Sequence, residues 1–227
     1  MKRTFFNSKG KDKQYIVIGC GRFGSSVAKK MCQLGNEVMV IDKDEDSIEN
    51  IAEQVTHTAI VDVTEERDLK SIGLGNFDVV IVAISSDIRA SIMATIMAKE
   101  MGVPKIVCKA KDELQAKVLY KIGADKVVFP ERDMGIRLAY NLASENILDQ
   151  INLDPEYSII EIVTPTNWVG KTIIELNLRA KYDITVLAVK TPSGLKVMPS
   201  PNYKMQEKNI LIIIGNTDKI SDIILHD

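Results

Sequence analysis

The chain has 227 residues, 45% hydrophobic and 26% charged, with 29 basic and 31 acidic side chains for a formal charge of −2. These proportions belong to an ordinary folded protein of one or two domains and exclude a chain disordered throughout. The charge balance argues against nucleic acid as a partner, and no apolar run approaches the roughly 18 residues that cross a bilayer.

The first 13 residues, MKRTFFNSKGKDK, are basic and carry no apolar stretch of the secretory kind, so a loose basic tail is expected over 1–13. From Gln14, short apolar runs alternate with longer amphipathic stretches. The runs are QYIVIG (14–19), EVMVID (37–42), HTAIVD (57–62), FDVVIVAI (77–84), KIVCKA (105–110) and KVVF (126–129). They lack polar alternation and are expected as strands buried on both faces of a parallel sheet. Between them, Phe23–Leu34 and Ile88–Met101 place apolar residues at helical spacing. This βαβαβ series predicts a Rossmann-like, doubly wound α/β lobe. The stretch after Pro130 is predicted helical to about Asp149, and Leu153-Asp154-Pro155 breaks the pattern. Beyond it lie two predicted strands (156–163 and 183–190), a short helix (171–177), a turn at Thr191–Gly194, a third strand (209–215) and a terminal helix (218–225). That is a small α+β lobe. The expected organisation is a tail (1–13), an N-lobe (14–137), a crossover helix and linker (138–150) and a C-lobe (151–227).

Three cysteines, Cys20, Cys32 and Cys108, have no CxxC spacing, which points away from disulfides or structural zinc and towards a reducing compartment. The strongest motif is Gly19-Cys20-Gly21-Arg22-Phe23-Gly24, which fits GxGxxG between a strand and a helix. Gly19 permits the tight turn, Gly21 lets a pyrophosphate approach the backbone, and Gly24 lets helix and strand pack closely. The helix N-terminus offers free N–H groups to phosphate. Asp42 ends the second strand, where an acid grips ribose hydroxyls and repels the 2′-phosphate of NADP. Arg22 puts a cation in the first helical turn, unfavourable against the helix dipole unless an anion is bound, and so predicts a ligand richer in charge than a pyrophosphate, such as a triphosphate. Lys43, Asp62 and Val63 follow the second and third strands. Ala83, Ile84 and Ser85 end the fourth, and Lys109 ends the fifth, all on the edge where such folds bind ligands. Glu131 opens the crossover helix, where the dipole favours an acid; its oxygens also suit Mg²⁺ or Ca²⁺ beside phosphates.

Catalytic signatures are missing. The two histidines, His57 and His226, lie at a strand start and in the terminal tail, and no tyrosine is followed by a lysine four positions on. Gly170-Lys171-Thr172 looks like the end of a P-loop, but Pro165 stands where that motif needs glycine. A nucleotide site without catalytic groups is expected in a sensor rather than an enzyme. The alternatives are an NAD(H)-dependent oxidoreductase, which needs a substrate pocket and proton donor, and a redox-sensing regulator, which needs a DNA-binding unit.

The segments GCGRFGSSVAKKM, VIDKDEDSIENI, AIVDVTEERDLKSIG, NFDVVIVAI, KVLYKIGADKVVFPERDMGIRLA and LNLRAKYDITVLAVK resemble the RCK (regulator of potassium conductance) family, the cytosolic regulatory subunits of Ktr- and Trk-type potassium uptake systems. The match runs from Tyr15 to Asp227. The resemblance implies dimers and octameric rings on the cytoplasmic face of the membrane, docked on a membrane-embedded potassium-translocating subunit. It implies ATP and ADP competing for the N-lobe, with NAD(H) in some relatives. Carried over, Arg22 would meet the terminal phosphate, Asp42 the ribose, and Asp62 and Val63 the adenine, while Glu131 would help bind an activating cation. Cys20 departs from the family pattern at a position where a small hydrophobe is tolerated. The resemblance also implies a cyclic di-AMP site in the C-lobe between two subunits, with Arg179 facing phosphate and Ile173, Thr185, Val186 and Pro201 around the bases. Asp183 stands there where relatives often carry glycine.

Overall fold

The computed structural model describes residues 13–143, 147–154 and 156–225. Apart from Lys13, the expected basic tail lies outside the described residues, as does His226. The chain divides into two compact units, Met1–Arg132 and Asp133–Asp227. The division falls inside one continuous helix, Pro130–Ala143.

The first unit holds β1 (Gln14–Ile18), α1 (Arg22–Gln33), β2 (Glu37–Asp42), α2 (Glu45–Glu49), β3 (His57–Ile60), α3 (Glu66–Ile72), β4 (Val79–Val82), α4 (Ile88–Glu100), β5 (Lys105–Lys109), α5 (Glu113–Lys121) and β6 (Lys126–Val128). All pairings are parallel, in the order β3-β2-β1-β4-β5-β6. The order reverses between β1 and β4, the topological switch point at which such sheets open a crevice. Residues alternate between two cores. Ile16, Ile18, Val80, Val82 and Ile106 face Leu69, Ala94, Met97 and Leu119 on one side. Val17, Val38, Val40 and Ile81 face Ala28, Ile48 and Ile51 on the other. Continuous apolar runs form these strands because both faces are covered; each fully buried Ile or Val contributes about 1.5–3 kcal/mol relative to exposure. β3 is the exception. It was expected to be buried on both faces, but it is an edge strand, with His57 and Ile60 exposed.

The helix α6 (Pro130–Ala143) starts in the first unit and continues into the second. The second unit contains β7 (Ile147–Asn152), β8 (Tyr157–Val163), α7 (Ile173–Leu176), α8 (Leu178–Tyr182), β9 (Ile184–Thr191), β10 (Gly194–Val197), β11 (Ile210–Asn216) and α9 (Thr217–Leu225). Its strands form an antiparallel sheet ordered β10-β9-β11-β8-β7. Ile160, Ile162, Leu211 and Ile213 line one face and pack with Trp168, Leu176, Leu178 and Met205. The helix expected to reach Asp149 is corrected here. Residues 147–152 are a strand paired with β8, with Ile147 and Gln150 buried and a register shift between Ile147 and Asp149. Antiparallel pairing with the next strand outweighs the local helical spacing. β10 and α8 were not expected from the sequence; all four residues of β10 are exposed, so it has no apolar face to read.

Candidate functional site

The glycine turn is built by close approach. Gly19 has φ +102°, a conformation side chains resist, and a Cβ on Gly24 would stand 1.9 Å from the Gly19 carbonyl oxygen. Gly21 differs: a Cβ there would meet nothing within 4 Å. The first two glycines of the turn face the cleft and the third serves packing. Gly21 is also the N-cap of α1, which has neither a side-chain cap nor an acid in its first turn. By contrast, Asp44, Asp87 and Asp112 cap α2, α4 and α5 through the N–H groups of Ser47, Ala90 and Gln115. The free N–H groups of α1 are therefore available to an anion.

A cleft of about 320 Å³ opens over this turn at the C-terminal ends of the strands. It brings together Gly19, Gly21, Asp42, Lys43, Asp62, Val63, Ala83, Ile84, Ser85 and Lys109 from the sequence-predicted set. The remaining predicted residues surround rather than line it. Cys20 is buried, donating its N–H to Asp42 Oδ2 at 2.5 Å and its thiol to the Ser47 carbonyl at 3.3 Å. Burial, first, and then the Asp42 and Asp44 charges push the Cys20 thiol pKa up, while Lys29 opposes them. Arg22 is exposed at the first position of α1. Phe23, beside it, lies with its ring centre 5.9 Å from the Lys109 ammonium. Gly24 is in the packing contact described above.

The cleft holds three carboxylates and two cations: Asp42 ends β2 with Lys43 beside it, Asp62 follows β3, Asp87 caps α4 and Lys109 ends β5. Asp42 accepts from Cys20 and, through Oδ1, from the Asp44 N–H at 3.0 Å. Asp62 accepts from the Thr64 N–H at 2.9 Å and hydroxyl at 2.7 Å, and these two bonds hold its carboxyl below the usual range. Carboxylates fixed in this way suit sugar hydroxyls, while the open α1 terminus and Lys109 suit phosphate. The floor between them is apolar, with Val61, Val63, Ala83 and Ala90. Sequence reasoning missed Val61 and Ala90; the signal was a small residue in the first turn of the helix after β4.

Glu131 does not line the cleft. Its Oε1 accepts from the Lys109 ammonium at 2.6 Å, and that bond, ahead of a smaller opposing burial effect, holds its carboxyl below the usual range. Among the described residues, no group of three or more His, Cys, Asp or Glu side chains could hold a metal. A lone carboxylate already matched to an ammonium does not fit a cation within one chain.

In the second unit, Gly170-Lys171-Thr172 is no phosphate loop. Thr172 caps α7, with a reciprocal capping box to Glu175. The Ile173 and Ile174 N–H groups donate to the Tyr203 and Pro201 carbonyls at 3.2 and 3.1 Å, bringing Pro201 beside α7. Arg179 and Thr185 are exposed on α8 and β9, and Val186 is half-buried.

Residues 15–130 match the TrkA-N domain and residues 157–224 the TrkA-C domain. Over 209 residues the chain is 45% identical to Ktr system potassium uptake protein C of Bacillus subtilis (strain 168), covering 92% of this chain and 95% of that one. The chain belongs to this family. It is also 42% identical, over 92% of its length and 95% of the relative's, to Ktr system potassium uptake protein A of the same organism. Of solved structures, the GsuK channel bound to NAD has a similar fold, with a TM-score of 0.54 at 23% identity over 96% of this chain and 39% of that one. This family of Ktr proteins thus accounts for both lobes together. Among the described residues no helix is long and apolar enough to cross a membrane.

Proposed function

We propose that this chain is a nucleotide-sensing regulatory subunit of a Ktr-type potassium uptake system. The observation that carries the reading is similarity at 42–45% identity to Ktr proteins A and C through both domains. In this reading the cleft over Gly19 and Gly21 takes ATP or ADP, with ribose at Asp42, adenine towards Asp62 and Val63, and phosphates towards the α1 terminus, Arg22 and Lys109. NAD(H) is the alternative occupant. Occupancy shifts a homo-oligomer, a dimer within a ring, between shapes to which the nucleotides bind unequally; only such a difference in affinity can drive a change. The ring acts at the cytoplasmic face on a membrane-embedded potassium-translocating subunit. The chain senses rather than catalyses. A hard cation, Mg²⁺ or Ca²⁺, would require Glu131 together with donors from the ligand or another copy.

A second site in the C-lobe, for cyclic di-AMP, is favoured by the bond from Ile174 N–H to the Pro201 carbonyl, which brings Pro201 beside the helix that holds Ile173, with exposed Arg179 close by in sequence. Calorimetry with ATP, ADP, NADH and cyclic di-AMP, with a turnover assay on each nucleotide, tests both readings. Binding of ATP and ADP without turnover is expected. NADH binding alone, or steady nucleotide turnover, would overturn the sensor reading. Restoration of potassium uptake in cells lacking their own Ktr regulators tests the transport role.

A further inference from the structure

The second unit holds a trough that neither nucleotide reading uses. Asn167, Trp168, Lys181 and Tyr182 line two adjoining hollows, of about 570 and 380 Å³, and so join them into one. Trp168 is the floor, 3% exposed and packed into the core of that unit. One wall is fixed by backbone pairing. The Gly170 N–H donates to the Met205 carbonyl and the Met205 N–H to the Lys171 carbonyl, both at 2.9 Å. Three segments bring ammonium groups to the trough: Lys171 from the turn before α7, Lys181 from α8 and Lys219 from α9. The trough is distinct from the surface of Ile173 and Pro201. None of Ile173, Arg179, Thr185, Val186 or Pro201 lines it. Lys181 is two residues past Arg179, about 200° around the helix from it.

The cations of the trough are poorly matched. Lys171 and Lys181 form no ion pair among the described residues, and Lys219 makes a loose 3.8 Å contact with Asp183. Two carboxylates, Glu175 and Asp222, also line the trough. Glu175 is already committed. Its Oε2 accepts from the Thr172 N–H at 2.7 Å and hydroxyl at 2.9 Å, which closes the cap of α7. We propose that this trough binds a small soluble phosphate anion of two or more charges, held between Lys171, Lys181 and Lys219. Lysine meets phosphate as a point charge on a flexible arm, so converging ammonium groups need no glycine loop. Gly170-Lys171-Thr172 thus supplies its lysine without the amides of a P-loop. A monovalent carboxylate would match one ammonium, whereas a pyrophosphate group carries enough charge for all three. The recessed floor suits an anion that enters the trough and not a flat membrane surface.

The N-lobe cleft also offers a phosphate site, so the test is read residue by residue. The full chain is acetylated at low conversion, with and without millimolar pyrophosphate at matched ionic strength, and mass spectrometry gives the rate at each lysine. Lys171, Lys181 and Lys219 should react about threefold more slowly with pyrophosphate, the scale of an exposed ion contact. Lys196 and Lys208, exposed elsewhere in the same unit, should be unchanged. Lys181→Ala should raise the pyrophosphate concentration that half-protects Lys171 by about fivefold. Glu175→Gln removes a negative charge while glutamine can still close the capping box, so it should lower that concentration. Equal slowing at every lysine, or protection of Lys171 unaltered in Lys181→Ala, would overturn the proposal. Protection lost in Arg179→Ala but kept in Lys181→Ala would move the anion to the neighbouring surface and overturn it as well.

Discussion

The backbone N–H of Cys20 donates to Asp42 Oδ2 at 2.5 Å, while the other oxygen of Asp42 accepts from the Asp44 N–H at 3.0 Å. One carboxylate thus ties the glycine turn after β1 to the turn after β2. The acid read from the sequence as a ribose ligand is also a brace for the glycine loop. Asp42→Ala should therefore lower stability by about 1–3 kcal/mol, because the part-buried Cys20 N–H loses its acceptor. Asp42→Asn keeps one oxygen and should lose less. Chemical denaturation measures both; an Ala variant as stable as wild type would show that the brace is dispensable.

The glycines of the turn separate packing from binding. Gly24→Ala drives a Cβ to 1.9 Å from the Gly19 oxygen, so α1 must move from the sheet, at a cost of about 1–3 kcal/mol or more. Gly21→Ala meets nothing within 4 Å and sits at φ −66°, so its stability should stay within about 0.5 kcal/mol of wild type. Its methyl group would occupy the approach of the phosphate, and nucleotide affinity should fall. Melting curves beside calorimetry should show one variant losing stability and the other losing ligand.

The parallel sheet was legible because its central strands are apolar on both faces; Val79–Val82 are all buried. The glycine turn was legible because backbone approach leaves a residue-type signature. What escaped was decided by pairing rather than by local pattern. Ile147 and Leu148 read as the end of the helical stretch, and pairing with Ser158–Ile162 makes 147–152 a strand. β10 has no buried face to betray it. The Lys109–Glu131 pair joins residues 22 apart through β5, β6 and the start of α6, and no local pattern encodes it.

Arg22 stands exposed at the first position of α1 and ion-pairs with no side chain among the described residues. Its charge opposes the helix dipole until a phosphate arrives. Arg22→Ala should weaken ATP more than ADP or NADH, because only ATP carries the third phosphate. Stability without ligand should hold or rise by about 0.3–1 kcal/mol. Equal losses for the three ligands would remove the terminal-phosphate role.

The cysteines should differ in reactivity. Cys108 is fully buried against Thr95, and burial pushes its thiol up to about 11. Cys20 is also buried and raised by desolvation, whereas Cys32 is partly exposed. Since the thiolate is the reactive form, alkylation of the native protein near pH 8 should label Cys32 first and Cys108 only on unfolding. Peptide-resolved mass spectrometry reads the order, and early labelling of Cys108 would contradict the packing.

Asp183 carries φ +59° as the C-cap of α8, a left-handed position that favours glycine, and it makes a loose 3.8 Å ion pair with Lys219. The resemblance implies that relatives often carry glycine here, and a left-handed backbone would account for it. Asp183→Gly relieves the left-handed strain, worth about 0.5–1 kcal/mol, against the loss of an exposed and weak ion pair. The C-lobe should therefore hold its stability or gain slightly. If cyclic di-AMP binds between Arg179 and the Ile173–Pro201 surface, removing this carboxylate also removes repulsion from its phosphates, and affinity should rise. Arg179→Ala should lower the same affinity by about tenfold, the scale of a charge-assisted bond, and leave ATP binding in the N-lobe unchanged. A gain in stability without a change in cyclic di-AMP affinity would assign Asp183 to the backbone alone; a parallel loss of ATP binding in Arg179→Ala would show that the two lobes do not bind independently.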